Sequence, residues 1–119
     1  MSKKVFIKVS TKEVPVYKPA GHENTHNRRL AGPHNGSEYI EFIIGEMHKG
    51  GSAENHFHAD SDQMIYMLEG ELHVVSPDRE ENITPGDLVV FPKEVAHEVQ
   101  CKTDFARFVV LYGPPKQKA

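Results

Sequence analysis

The amino-acid sequence predicts an all-β fold, a small sandwich or barrel formed by a single domain. Three observations lead to this prediction. Short apolar runs are separated by clusters of Gly, Pro, Asn and Asp. No segment carries a 3.6-residue apolar period over three turns, as an amphipathic helix would. The chain of 119 residues is long enough to bury one hydrophobic core without disulfides.

In the first half of the chain we expect two strands, Val5–Val9 and Tyr39–Met47. The segment between them, residues 18–37, is polar and rich in His, Asn, Gly and Pro, which favours an irregular N-terminal arm or lid. After the second strand, the sequence Lys49-Gly50-Gly51-Ser52 predicts a turn.

In the second half the predicted strands follow one another closely. They are His56–His58, Gln63–Leu68, Leu72–Ser76, Leu88–Phe91, His97–Cys101 and Phe105–Tyr112. The predicted turns are Glu69-Gly70-Glu71, the charged stretch from Ser76 to Asn82, Pro85-Gly86-Asp87 and, at the end, Gly113-Pro114-Pro115. Many short strands at this spacing are typical of sandwiches and barrels.

The composition excludes several classes of protein. A formal net charge of −3 argues against nucleic acid or an acidic membrane surface as the main partner. Lysines near the two ends, such as Lys4 and Lys116, are expected to be solvated. Cys101 is the only cysteine, so no intramolecular disulfide can form. No apolar stretch is long enough for a signal peptide or a membrane span, which favours a cytoplasmic protein.

Histidine is the residue type most informative about function, since the chain has eight histidines and imidazole is the commonest metal ligand. His56 and His58 lie two residues apart, so in a strand both imidazoles face the same side. His97 alternates with Val99 and so belongs to the apolar face of its strand. Taken singly, the first two can also be surface residues, and the third a core histidine bonded to a carbonyl. Together they suggest a metal site.

These residues also form two spaced motifs that resemble those of the cupin family. The first family motif is Gly-x5-His-x-His-x4-Glu-x6-Gly, and here residues 50–70 read Gly50, His56, His58, Gln63 and Gly70. The second is Gly-x5-Pro-x-Gly-x2-His-x3-Asn, and here residues 86–101 read Gly86, Pro92, Glu94, His97 and Cys101. Every spacing is kept, while Gln, Glu and Cys replace the usual Glu, Gly and Asn.

The resemblance is to small single-domain cupins, the monocupins or cupin type 2 proteins, with one domain over residues 1–119. It implies a double-stranded β-helix, or jelly-roll, barrel. It also implies one divalent metal ion, for which the ligands would be His56, His58, His97 and Gln63. Zn, Ni, Fe and Mn all suit such a site. Small cupins commonly form homodimers by exchanging N-terminal strands, and Val5–Val9 is the candidate strand here.

Gln63 is the departure with the largest chemical consequence. An amide oxygen is a neutral ligand and cannot accept a proton as a carboxylate does. If Gln63 binds the metal, the site keeps its full dipositive charge and becomes a stronger Lewis acid. The alternative is that Gln63 only hydrogen-bonds a metal-bound water. Three imidazoles leave an open coordination position in either case, as reactive metal sites do.

The predicted pocket is mostly apolar, with its polar groups concentrated at the metal site, and such a pocket suits a small organic molecule. Its expected lining residues are His48, Ile65, Met67, Val99 and Cys101. Arg28 and Arg107 are candidates for binding a carboxylate of the substrate.

The leading functional hypothesis is a metal-dependent enzyme that binds and polarises a small oxygenated molecule. Dioxygenation, isomerisation or cyclisation, and lyase chemistry all fit a cupin of this kind. The neutral ligand set favours Lewis-acid chemistry over oxygen activation. The alternative is a metal-dependent binding or sensing module without catalysis, because one barrel fold hosts many functions.

Overall fold

The computed structural model describes residues 4–116. Within that range the chain forms eight β-strands and two short 3-10 helices, Thr11–Glu13 and Pro33–Asn35. The strands are β1 (His22–Ala31), β2 (Glu41–His56), β3 (Asp62–Glu69), β4 (Leu72–Ser76), β5 (Arg79–Ile83), β6 (Leu88–Phe91), β7 (His97–Cys101) and β8 (Phe105–Gly113). The predicted all-β class is therefore confirmed.

The strands form one sheet in the order β5-β4-β7-β2-β8-β3-β6, with β1 also paired to β2. The sheet folds into the two layers of a jelly-roll barrel because β2 belongs to both. Glu41–His48 of β2 pairs with β8 in one layer. Ser52, Ala53 and His56 pair with β7 in the other. All of these pairings are antiparallel.

β2 changes layer at Gly50 and Gly51, where we expected a turn that would end the strand. That expectation is wrong, because the strand continues through both glycines and only bends. Gly50 has a φ of +81°, which L-residues rarely adopt. A Cβ on Gly51 would lie 2.8 Å from the carbonyl oxygen of His48. The glycines allow the bend that carries His56 to the end of the barrel.

The hydrophobic core lies between the two layers. In the layer that contains β8, strand alternation turns Ile43, Ile65 and Phe108 inward. In the other layer it turns Leu72 and Val99 inward. β8 shows the pattern most clearly, with alternate residues buried from Ala106 to Val110. The apolar spacing that predicted the strands is therefore the spacing that fills the barrel.

Two predictions for the N-terminal region need correction. Residues 18–37 are not an irregular arm, because His22–Ala31 forms β1, hydrogen-bonded along β2. Its polar side chains hid the strand, since Thr25 and Asn27 are buried polar residues. Conversely, Val5–Val9 forms no strand within the chain, and Phe6 is 94% exposed.

A third correction concerns the charged stretch from Ser76 to Asn82, which was predicted as a turn. Arg79–Ile83 forms β5, which pairs with β4 along its whole length. As an edge strand exposed on one side, β5 keeps its charged residues in solvent. Among residues 4–116 there is no helix long and apolar enough to cross a membrane.

Candidate metal centre

Three histidines that are distant in sequence meet at one end of the barrel. His56 ends β2, His97 begins β7, and the two are paired directly across these strands. His58 lies just beyond β2. The His56 ring centroid is 4.5 Å from that of His97 and 4.9 Å from that of His58. One ligand atom from each ring lies within 4.8 Å of the other two, an arrangement that can hold a metal ion.

The backbone fixes the tautomer of two of these rings. Nδ1 of His56 lies 2.5 Å from the carbonyl oxygen of Glu54, and Nδ1 of His97 lies 3.1 Å from that of Val95. A carbonyl oxygen only accepts, so each Nδ1 carries the hydrogen and each Nε2 keeps its lone pair. Metal-binding histidines are commonly oriented through the second ring nitrogen in this way.

His97 provides the observation that best tests whether a metal fits. Its side chain is 1% exposed, and its ring stacks on Phe91 with 3.8 Å between centroids. Nε2 of His97 is buried and has no hydrogen-bond partner among residues 4–116. A buried polar atom without a partner costs about 1–3 kcal/mol. A metal ion among the three rings would supply the missing partner, so the residues fit the ion.

Gln63 lies on β3 and faces the same cavity, with 6% of its surface exposed. Its Oε1 lies 3.1 Å from Nε2 of His58. Two ligand atoms of one ion, each at roughly 2.1 Å, would be about 3–3.4 Å apart. The observed distance therefore suits two ligands of one ion, and ligation by Gln63 stays a prediction.

The imidazoles of His58 and His97 are held in the neutral form. Burial is the largest cause, and together with the positive charge of Lys116 and the neighbouring histidines it lowers both pKa values to about 4. Neutral imidazole is the form that binds metal, so both rings are ready to do so at pH 7.

A cavity of about 400 Å³ opens at the histidines. Its walls are largely apolar and come from both layers of the barrel; they are formed by Ile43, Met47, Ala53, Ile65, Val99, Phe108 and Val110. The volume and the lining suit a small organic molecule. Of the predicted pocket residues, the structure places Ile65 and Val99 in this wall.

The other predicted pocket residues lie elsewhere. His48 is exposed, and its ring contacts those of His26 and Phe105. The two-residue period through His48 is the outer face of β2, so the prediction for this residue was wrong. Met67 is buried in the core, and Cys101 packs against that core, both outside the cavity lining.

The two arginines predicted to bind a substrate anion also need correction. Arg28 and Arg107 both approach Glu46, at 3.4 Å and 3.9 Å, and neither lines the cavity. Strand alternation places the neighbouring Arg29 in the cavity wall instead. For Arg28 the error follows from treating residues 18–37 as irregular, because an irregular segment has no inner and outer face.

Arg29 belongs to a polar group in the cavity wall that the sequence analysis missed. Nε of Arg29 donates to Oε2 of the buried Glu41 at 2.7 Å, and Nη2 donates to the phenol oxygen of Tyr17 at 3.1 Å. The guanidinium also lies over the Tyr17 ring, 4.6 Å from its centroid. The two-residue alternation of β1 is the sequence signal that would have identified this arginine.

Two more charged or titratable residues line the cavity near the histidines. His22 has its ring 6.1 Å from that of His56, and its Nδ1 donates to the carbonyl oxygen of Ala20. Lys116 places its Nζ 5.2 Å from the centroid of the Tyr112 ring. Lys116 is exposed, as expected, yet it also lines the cavity. No sequence pattern marked it, because its position depends on contacts with distant strands.

Comparison with known proteins identifies the fold family. The family model for the cupin domain matches residues 43–112, more than half of the chain. This range contains all three histidines and Gln63. No curated protein is significantly similar in sequence.

Several solved structures are similar to this one over almost the whole chain. KdgF from Halomonas sp. has a TM-score of 0.83 at 16% identity, covering 95% of this chain and 97% of its own. The polyketide cyclase RemF from Streptomyces resistomycificus has a TM-score of 0.82 at 26% identity, covering 93% and 81%. Ectoine synthase from P. lautus has a TM-score of 0.80 at 17% identity, covering 92% and 79%.

Proposed function

Because the chain belongs to the cupin family, we propose that it is an enzyme whose three cavity histidines hold one divalent metal ion. His56, His58 and His97 are the ligands, and Gln63 is the fourth. The substrate is a small oxygenated organic molecule that enters the cavity. The observation that carries the proposal is the buried Nε2 of His97, which has no hydrogen-bond partner in the part of the chain that the structure describes.

When bound, the ion would polarise a carbonyl or hydroxyl oxygen of the substrate as a Lewis acid. All four proposed ligands are neutral, so none of them offsets the charge of the ion. We therefore favour isomerisation or cyclisation over oxygen activation or elimination. The likeness to a polyketide cyclase at 26% identity supports the same choice.

The chain must also supply a group that accepts a proton, since Gln63 cannot. His22 meets this need, because its Nδ1 donates to Ala20 at 2.8 Å and its Nε2 therefore keeps a lone pair. It lines the same cavity as the metal-binding histidines. In this proposal His22 removes a proton from the carbon next to the polarised carbonyl.

The proposal is tested by hydrogen–deuterium exchange at such a carbon. The metal-loaded protein is incubated with 2-oxobutanoate in D2O, and loss of the C3 proton signal is followed by NMR. We expect exchange faster than in buffer with the same free metal. His58→Ala should abolish the acceleration through loss of the metal, and His22→Gln should reduce it about a hundredfold, as loss of a general base does. His48→Gln, outside the cavity, is the matched control.

The same experiment distinguishes the competing functions. Consumption of oxygen without exchange would indicate an oxygenase. Binding of the probe with neither exchange nor oxygen consumption would favour a binding module, and the proposed enzyme would then be wrong.

A further inference from the structure

Lys116 follows the last strand yet is held in the cavity wall by two anchors. Its backbone N–H donates to Oε1 of Glu41 at 2.8 Å. Two residues earlier, the carbonyl oxygen of Pro114 accepts a hydrogen bond from Oγ of the buried Ser61 at 2.7 Å. These contacts fix the backbone on either side of Pro115. The Lys116 side chain is exposed, and it lies at the cavity wall with its ammonium over the Tyr112 ring.

The charge of Lys116 is only partly offset by carboxylates. Burial lowers the pKa of Lys116, and the negative charge of Glu41 acts against this. The Glu41 carboxylate also accepts hydrogen bonds from Arg29 and from the Lys116 backbone. Among residues 4–116, no ion pair includes Lys116. Within that range, the Lys116 ammonium therefore has no salt bridge at the cavity wall.

The effect of this charge reaches the histidines directly. The Tyr112 ring lies between the two groups, 5.2 Å from Nζ of Lys116 and 5.2 Å from the His58 ring centroid. The charge of Lys116 is also one cause of the lowered pKa of His58. A cation beside a metal site with neutral ligands would be repelled by the metal, and an anion bound between them would offset that repulsion.

Tyr17 adds a hydrogen-bond donor to the same cavity. Its phenol oxygen accepts from Nη2 of Arg29 at 3.1 Å. The phenol keeps its own O–H hydrogen as a donor. Since Tyr17 lines the cavity, that hydrogen is available to an acceptor on a bound molecule.

We propose that the cavity selects a small organic carboxylate, whose negative oxygen is bound by Lys116 beside the metal. Tyr17 donates to a second oxygen of the same molecule. A carboxylate is favoured over an enolate because its charge is already present when the molecule binds. This inference rests on the proposed metal site, and it names the substrate class for that site.

Calorimetric titration with a matched pair of probes tests the inference. Salicylate carries a carboxylate, and salicylamide is its neutral analogue of nearly the same shape. We expect the zinc-loaded protein to bind salicylate more tightly than salicylamide. In Lys116→Gln, salicylate affinity should fall roughly ten- to a hundredfold, as expected for loss of a charged hydrogen bond. Salicylamide affinity should be unchanged, and Lys116→Arg should retain the preference for salicylate.

Lys102→Gln is the matched control, because Lys102 is an exposed lysine on the far side of β7 from the cavity lining. It should bind both probes as the wild type does. Equal losses for the two probes in Lys116→Gln, no loss, or failure of the wild type to bind salicylate would overturn the inference. Zinc content is measured on every sample, and titrations are repeated on metal-free protein. Absence of zinc in the wild type would refute the metal site. The role of Lys116 is judged separately, by comparing the affinities of the two probes in wild type and in Lys116→Gln.

Discussion

Glu94 is a residue whose backbone conformation suits glycine better. Its φ is +74°, and it occupies the motif position where cupins usually have Gly. Its N–H donates to the carbonyl oxygen of His58 at 2.7 Å, which links the loop before His97 to another proposed ligand. The left-handed conformation of Glu94 therefore helps to position the loop that connects two proposed ligands, His58 and His97.

Replacing Glu94 with glycine should stabilise the protein. The left-handed conformation costs an L-residue about 1–2 kcal/mol, while glycine costs about 0.5–1 kcal/mol in chain entropy. We expect Glu94→Gly to raise the free energy of unfolding by about 0.5–1 kcal/mol in urea titrations. Glu94→Ala keeps the Cβ and should show no gain. A glycine variant less stable than the alanine variant would contradict the assignment of strain.

The lowered pKa values of His58 and His97 predict how stability depends on pH. Each folded-state pKa is about 4, against about 6.5 in the unfolded chain, so the unfolded chain binds more protons between these values. The free energy of unfolding should be highest above pH 6.5 and fall as the pH drops toward 4. The slope from buried His97 is at most about 1.4 kcal/mol per pH unit. Half-buried His58 contributes less because solvent screens it.

Urea titrations of metal-free protein between pH 7.5 and 4.5 measure this dependence. His97→Gln removes one titrating group and should flatten the decline. His73→Gln is the control, since His73 lies outside the cavity lining. Equal slopes in wild type and His97→Gln would show that burial does not hold this imidazole neutral.

At the residue scale, spacing alone identified the residues that share one strand face or one family motif. His56, His58 and His97 meet as the motifs implied. Tyr17, Arg29 and Lys116 could not be found in this way, because their placement depends on pairing between distant segments. Alternation works for a residue only after its segment has been recognised as a strand.

At the element scale, the turns at Gly70 and Gly86 offer a direct test of close packing. Both glycines have positive φ, +75° and +93°. A Cβ on Gly70 would overlap the carbonyl oxygen of Phe105 and lie 2.8 Å from Cα of Ala106, whereas one on Gly86 would meet nothing within 4 Å. The two positions therefore share backbone strain and differ in the space around them.

We expect Gly70→Ala to destabilise the fold by about 3 kcal/mol or more, since strain and overlap with backbone atoms add. Gly86→Ala should cost only about 1–2 kcal/mol, from the backbone conformation alone. Urea titrations at pH 7 compare the two variants. Equal losses would show that the backbone around Gly70 moves to accept the methyl group.

The elements that the sequence predicted well are those with a clear apolar alternation. Leu72–Ser76, Leu88–Phe91 and His97–Cys101 have the predicted bounds in the structure. β1 and β5 were missed because their polar residues resemble a loop, and hydrogen bonds to β2 and β4 decide their conformation. Such pairing is a tertiary effect that local sequence does not contain.

At the scale of the whole molecule, the N-terminal segment indicates assembly. Val5 is 73%, Phe6 94% and Ile7 54% exposed, and the segment pairs with none of the strands within residues 4–116. We expect it to pair with a second copy in a homodimer, since exposed apolar segments favour association.

Light scattering should give about twice the chain mass of 13.4 kDa. Phe6→Glu should shift the mass toward one chain, and Lys8→Glu is the control. A wild type of single-chain mass would contradict this expectation.

Metal content is the measurement that tests the central claim most directly. The protein is purified without added metal or chelator and analysed by inductively coupled plasma mass spectrometry. The account predicts about one divalent ion per chain in the wild type and in His48→Phe. It predicts almost none in His97→Phe, which keeps the stacking on Phe91 but removes Nε2. A wild type without metal that also binds none when zinc, nickel, iron or manganese is added, or equal metal in His97→Phe, would contradict it.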